Sequence, residues 1–87
     1  MGVNVMQKVT SPKVLGQRLK AVRNQKGLNQ HQAGNLVGIT QAMVSRIERG
    51  ESNARIDTLF RLLAALDMEM IVRPREMASN LSEGDNW

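Results

Sequence analysis

The chain contains no cysteine, which excludes a disulfide framework and any thiolate metal site. It has one histidine, His31. With no acid beside it at ligand spacing, His31 builds no metal site and reads as a surface helix residue. No stretch approaches the run of about 20 apolar residues that a transmembrane helix needs. The N-terminus lacks the apolar core of a signal peptide, so a cytoplasmic protein with no membrane partner is expected. Neither a nucleophile paired with a base nor a glycine-rich phosphate loop occurs. The sequence therefore reads as a non-enzyme without cofactor or metal.

What is present is one small domain of 87 residues. A chain of this length buries a modest fraction of its surface and is marginal alone, so a second copy or another partner is expected to add stability. The net charge of +4 is unevenly spread. Residues 1–55 hold nine Lys/Arg and two acids, nine minus two giving +7, and residues 56–87 hold three Arg and six acids, three minus six giving −3. The basic part suits a polyanionic partner, and a solvated basic surface is the plain alternative.

Helical periodicity organises the middle of the chain. Ser11-Pro12 reads as a helix start, Ser as N-cap and Pro at the first helical position. Leu15, Leu19 and Val22 then recur at helical spacing, and Gly27 ends the helix. Asn29 caps a second helix over Gln30 to about Val37, with Ala33, Leu36 and Val37 inward. Gly34 within it implies a close crossing by the next helix, and Gly38 supplies a sharp turn. Thr40 caps a third helix to about Arg49, with Val44 and Ile47 inward, and Gly50 stops it. A fourth helix covers about Ile56 to Leu66, with Ile56, Leu59, Phe60 and Leu63 inward. Leu62 and Leu66 widen its apolar face beyond the needs of one small core and read as a dimer interface. Met68 to Val72 alternates and stops before Pro74, as a short strand does. A lone strand needs a partner, most simply its twin in a second subunit, which adds Met68, Met70 and Val72 to the expected interface. The expected division is a flexible arm over 1–10, a folded domain over 11–73 and a disordered tail over 74–87. The fold class is all-α, four to five helices with one C-terminal strand paired across a homodimer.

Residues 29–50 carry the functional signal: short helix, glycine turn, second helix. The exposed face of that second helix holds Thr40, Gln41, Ala42, Ser45 and Arg46. Gln and Arg have paired hydrogen-bonding groups that match adenine and guanine edges in the major groove, and Ala42 suits a thymine methyl. A recognition helix inserts its N-terminal part into the groove, so these five residues are the candidate base contacts. Asn29 and Gln30, at the start of the second helix, suit a DNA phosphate, with simple capping as the alternative. Arg49, Ser52, Asn53 and Arg55 follow the recognition helix and are candidate phosphate contacts, with solvated loop residues as the alternative. Arg23 and Glu48 are placed to form a partly buried ion pair between the first and third helices, or to remain independent surface charges. Trp87 ends a polar tail, where an aromatic contributes nothing to the fold; an arbitrary terminus and a hook for another protein are the two readings.

Residues 11–66 resemble the lambda-repressor-like helix-turn-helix family through Gly27-Leu28-Asn29-Gln30, Gly38-Ile39-Thr40-Gln41 and Val44-Ser45-Arg46-Ile47-Glu48-Arg49-Gly50. The resemblance implies that Asn29 and Gln30 hold phosphates, that Gln41, Ala42 and Arg46 face bases and that Arg23 pairs with Glu48. Gly34 departs from the family, which favours Ala there. The whole chain further resembles HipB-type antitoxins, through Gln7-Lys8-Val9, Ser11-Pro12, Leu15, Lys20, Val22-Arg23, Gly38-Ile39, Gln41-Ala42, the strand at 68–72 and Trp87. This second resemblance implies a homodimer on palindromic operator DNA and a HipA-type Ser/Thr-kinase toxin touched by the tail at Trp87. Two alternatives stand beside it: a stand-alone phage-type or metabolic repressor without a toxin, and an adaptor that uses the fold without DNA.

Overall fold

The computed structural model describes residues 7–51 and 53–75. The expected arm's first six residues, Ser52, and the tail from residue 76 through Trp87 lie outside the described residues. Four helices follow in order: α1 (Pro12–Gln25), α2 (Gln30–Leu36), α3 (Gln41–Glu48) and α4 (Ile56–Ala65). Among the described residues no segment forms a strand ladder within the chain, and residues 68–75 leave α4 as irregular backbone.

The starts of the first three helices are chemically specified. Ser11 Oγ accepts from the Val14 N–H at 3.1 Å, with Pro12 in the first turn. Asn29 Oδ1 accepts from Gln32 N–H at 2.7 Å while Gln32 Oε1 accepts from Asn29 N–H at 2.8 Å, a reciprocal capping box. Thr40 Oγ1 accepts from Met43 N–H at 3.2 Å. By contrast α4 has no side-chain cap; Asp57 in its first turn supplies the favourable negative charge instead.

All four helices end in one motif. The second residue past the last turn donates back to the carbonyl five residues earlier: Leu28 to Arg23, Ile39 to Gly34, Glu51 to Arg46 and Met68 to Leu63, at 2.9 to 3.2 Å. The residue between stands at positive φ, and it is glycine three times and Asp67 (φ 56°) once. Gly38 (φ 73°) is where this matters most, because its turn sets the angle between α2 and α3.

The core joins Leu19 of α1, Ala33 of α2, Ile39 of the turn, Val44 and Ile47 of α3, and Leu62, Leu63 and Leu66 at the end of the fold. Two glycines let backbones meet. A Cβ on Gly34 would collide with the Ile39 carbonyl and stand 3.2 Å from Val44 Cγ2, so the close approach expected of α2 is made by the turn and by α3. A Cβ on Gly16 would collide with the Ile47 and Glu48 carbonyls, which is how tightly α1 lies on the end of α3.

The structure corrects the expected facing of several apolar residues. Leu62 and Leu66 are fully buried in the chain's own core, so neither is free to form a dimer interface. Met68, half-buried, packs against the same core. Conversely Ile56 (72 % exposed), Phe60 (50 %) and Leu36 (64 %) do not point inward. The apolar arc of α4 is wider than the core it covers. Placing Leu59, Leu62, Leu63 and Leu66 inward turns the helix by roughly 60° from the expected setting, at 100° per residue. That rotation carries Ile56 and Phe60 onto the flank. Leu36 sits at the end of a helix of seven residues whose inner side is taken by Ala33, Gly34 and Val37.

Arg23 and Glu48 do pair, and they are buried rather than superficial. Their side chains are 8 % and 3 % exposed. Arg23 Nε donates to Glu48 Oε2 at 2.6 Å, Nη2 to Oε1 at 2.9 Å, and Nη1 to the Leu28 carbonyl at 2.8 Å. The Glu48 hydrogen bond raises the Arg23 pKa above its ordinary value. Removing one partner strands a buried charge. Arg23→Met is therefore expected to cost about 3–5 kcal/mol in urea denaturation, whereas the double variant R23M/E48M should fall within about 1–2 kcal/mol of the parent. Equal losses in both would show that the pair is not what holds the two helices.

Candidate nucleic-acid interface

The inner face of α3 is occupied by Val44, Ile47 and Glu48, all buried. What remains outward is Gln41, Ala42 and Arg46, exposed, with Ser45 half-buried between them. Thr40 is exposed at the helix start, but its hydroxyl already accepts the Met43 N–H. The five sequence-derived base-contact residues thus lie along the outer side of α3, from its N-cap Thr40 to Arg46 in its last turn. They show amide, methyl, hydroxyl and guanidinium groups outward, a set that matches base edges in a major groove.

The start of α2 lies beside this surface. Gln41 Nε2 donates to Gln30 Oε1 at 3.5 Å, the outer limit of a hydrogen bond, and Gln30 Nε2 donates to Glu48 Oε1 at 3.0 Å. Gln30 therefore bridges the recognition helix and the buried ion pair. The side-chain oxygen of Asn29 is committed to capping α2.

The residues after α3 behave differently. Arg49 Nε donates to Glu51 Oε2 at 2.8 Å and Nη2 to Oε1 at 3.3 Å, while Nη1 donates to the Ser45 hydroxyl. This hydrogen bonding raises the Arg49 pKa and, acting first through Arg49, holds the Glu51 carboxyl below its ordinary range. The pair's small contribution to stability is present above the ordinary carboxylate range and is lost as pH falls through the lowered value. Arg55 Nε donates to Asp57 Oδ1 at 3.2 Å, and Asn53 is exposed. Ser52 lies outside the described residues. The structure therefore gathers Gln30 with the recognition face, whereas it pairs Arg49 and Arg55 with neighbouring acids.

Three features escaped sequence reasoning. The Gln30–Glu48 contact joins residues 18 apart, and no local pattern encodes it. Arg61 Nη1 donates to the Val37 carbonyl at 3.2 Å, tying α4 to the end of α2. Gly16 did carry a signal, since a glycine inside an otherwise well-formed helix points to a close approach. Elsewhere, Ile56, Phe60, Met70, Ile71 and Val72 expose apolar surface on α4 and the segment after it. Among the described residues no group of three or more His, Cys, Asp or Glu could hold a metal ion, and no helix is long and apolar enough to cross a membrane.

Comparison with known proteins agrees with this geometry. The helix-turn-helix family model matches residues 19–71. Antitoxin HipB of Escherichia coli (strain K12) is 34% identical over 73 residues, covering 84% of this chain and 83% of HipB. A solved HipB–O4 20mer complex superposes with a TM-score of 0.76 at 32% identity, over 82% of this chain and 100% of that one. The HipA–HipB–O2–O3 complex gives a TM-score of 0.75 at 32% identity, with the same two coverages, 82% and 100%. The P22 c2 repressor, solved with a synthetic operator, gives 0.59 at 29% identity over 63% of this chain and 83% of that one. The chain belongs to the helix-turn-helix family, in its HipB antitoxin branch.

Proposed function

We propose that this chain is the antitoxin of a type II toxin–antitoxin pair, a cytoplasmic DNA-binding repressor that also binds a HipA-type Ser/Thr-kinase toxin. One observation carries the reading: the outward face of α3, backed by Gln30, lies on a chain that matches HipB over 84% of its length. HipB has been solved as an O4 20mer complex and, together with HipA, as a HipA–HipB–O2–O3 complex. Gln41 and Arg46 read base edges, with Thr40, Ala42 and Ser45 beside them. Gln30, Asn29, Arg49, Ser52, Asn53 and Arg55 grip phosphates and position the domain without reading sequence. Repression is steric: a dimer on a palindromic operator, with half-sites about one or two helical turns apart, occludes the promoter.

The dimer surface is proposed anew. With Leu62 and Leu66 buried, a second subunit can instead cover Ile56 and Phe60 of α4 and Met70, Ile71 and Val72 after it, all exposed. Among the described residues, 69–72 form no strand ladder, and a twin segment can pair with them as a two-stranded ladder. Phe60→Ser should leave the monomer folded, because the ring is not in the core, and shift the monomer–dimer equilibrium at least tenfold toward monomer in sedimentation equilibrium. An unchanged equilibrium would place the interface elsewhere.

Binding of phosphates requires Arg49 to exchange Glu51 for the DNA. Arg49→Ala should weaken all duplexes alike and lower the slope of log affinity against log salt by about 0.9, the value of one released counterion. Glu51→Gln should strengthen binding, since it frees the guanidinium and removes a like charge near the phosphates. A salt slope unchanged in Arg49→Ala would take this residue out of the interface.

A stand-alone repressor is the second reading, favoured by the likeness to the P22 c2 repressor. Affinity capture from the native cell separates the two, using the intact chain and a chain ending at residue 73. A kinase recovered only with the intact chain supports the antitoxin reading with Trp87 as the anchor. Recovery with both keeps the antitoxin and removes Trp87. Promoter DNA captured with no protein partner returns the chain to the plain repressor class.

A further inference from the structure

The two ends of a glutamine amide are nearly the same in shape and opposite in hydrogen bonding, one donating and the other accepting. Which end meets a base edge decides which base is accepted. For Gln41 that choice is constrained by a chain of contacts that begins in the core.

Glu48 is buried with both of its side-chain oxygens accepting from Arg23, so it offers acceptors to its neighbours. Gln30 must therefore turn its NH2 toward Glu48 Oε1, and it does so at 3.0 Å. Its carbonyl oxygen is left facing the recognition helix, where Gln41 Nε2 donates to it at 3.5 Å. The Gln41 hydrogen involved is the one trans to its own oxygen if that oxygen and the remaining N–H are to stay side by side and free. One acceptor and one donor presented together match the N6 and N7 positions of adenine. Turning the Gln41 amide over would set two acceptors, its own oxygen and that of Gln30, against each other.

We propose that Glu48 is a specificity-determining positioning residue: acting through Gln30, it fixes the polarity of the Gln41 amide and so commits Gln41 to adenine. The relay runs from Arg23 to Glu48, Gln30, Gln41 and the base, and it uses the interior of the domain to set a property of its surface. The inference rests on the proposed base-reading role of Gln41.

The test is a binding selection from randomised DNA duplexes with the full chain and three variants. Gln41→Ala first identifies the operator position that Gln41 reads, as the position whose preference disappears. Gln30→Ala, which leaves the buried ion pair intact, and R23M/E48M, which removes the charges without stranding either, both break the relay. At that one position the adenine preference is expected to fall about fivefold or more in each, the lower end of what a bidentate base contact contributes. Preferences elsewhere should be unchanged, although affinity drops uniformly when Gln30 loses its phosphate contact. A purely structural role for Glu48 would instead weaken every position alike. Full adenine preference retained in folded Gln30→Ala overturns the proposal. If R23M/E48M fails to fold, Gln30→Ala alone decides. If Gln41→Ala alters no position, the base-reading assignment falls and the relay with it; if Gln41→Ala relaxes one position and Gln30→Ala does not, only the relay falls.

Discussion

The arrangement depends on one buried ion pair. Arg23 near the end of α1 and Glu48 at the end of α3 are hardly accessible to water, a costly state for two charges. It is tolerable only because their hydrogen-bonding capacity is used: Arg23 also donates to the Leu28 carbonyl, and Glu48 also accepts from Gln30. Those two extra contacts reach the loop before α2 and the first residue of α2. A single polar centre thus orients three helices relative to one another. Apolar packing is non-directional and would leave that orientation less well defined.

The rest of the frame gives this centre a rigid setting. Helices of seven and eight residues, such as α2 and α3, have little stability of their own. Here each is stopped at its start by a side-chain cap and at its end by the same positive-φ motif. Backbone contact at Gly16 and Gly34 then removes the sliding freedom that longer side chains would allow. The consequence for function is a recognition helix whose outer side chains are presented from a fixed platform. Specific reading of base edges depends on that fixity more than on net charge.

Two surfaces differ in their chemistry. The basic N-terminal two thirds and the outward face of α3 suit a polyanion, and the apolar flank of α4 with residues 70–72 suits another protein surface. They are connected mechanically. Arg61 neighbours Phe60 on α4 and donates to the end of α2, so whatever covers Phe60 lies one residue from a contact that supports the turn before the recognition helix. Arg49 pairs with Glu51 and Arg55 with Asp57, so the charge of these two guanidinium groups is balanced locally.

Much of this was readable from residues alone. Ser11-Pro12, Asn29 and Thr40 announced three helix starts, and Gly27, Gly38 and Gly50 three ends, because caps and positive-φ turns are local chemistry written in one or two adjacent side chains. The outward set of Gln41, Ala42 and Arg46 followed from the helical period once Val44 and Ile47 were taken as inner. The facing of α4 was not readable: its apolar residues span a wider arc than the core accepts, and only the packing of α1, α2 and α3 selected Leu62 and Leu66 for burial and left Ile56 and Phe60 outside. Likewise Arg23 and Glu48 could be paired from the sequence, yet their full burial and the contact from Glu48 to Gln30 could not. Local chemistry along the chain sets which helices form, where they stop and which residues the recognition helix offers. Tertiary structure alone decided which way the wide apolar face turned and what stands behind Gln41, since both depend on contacts between residues far apart in the chain.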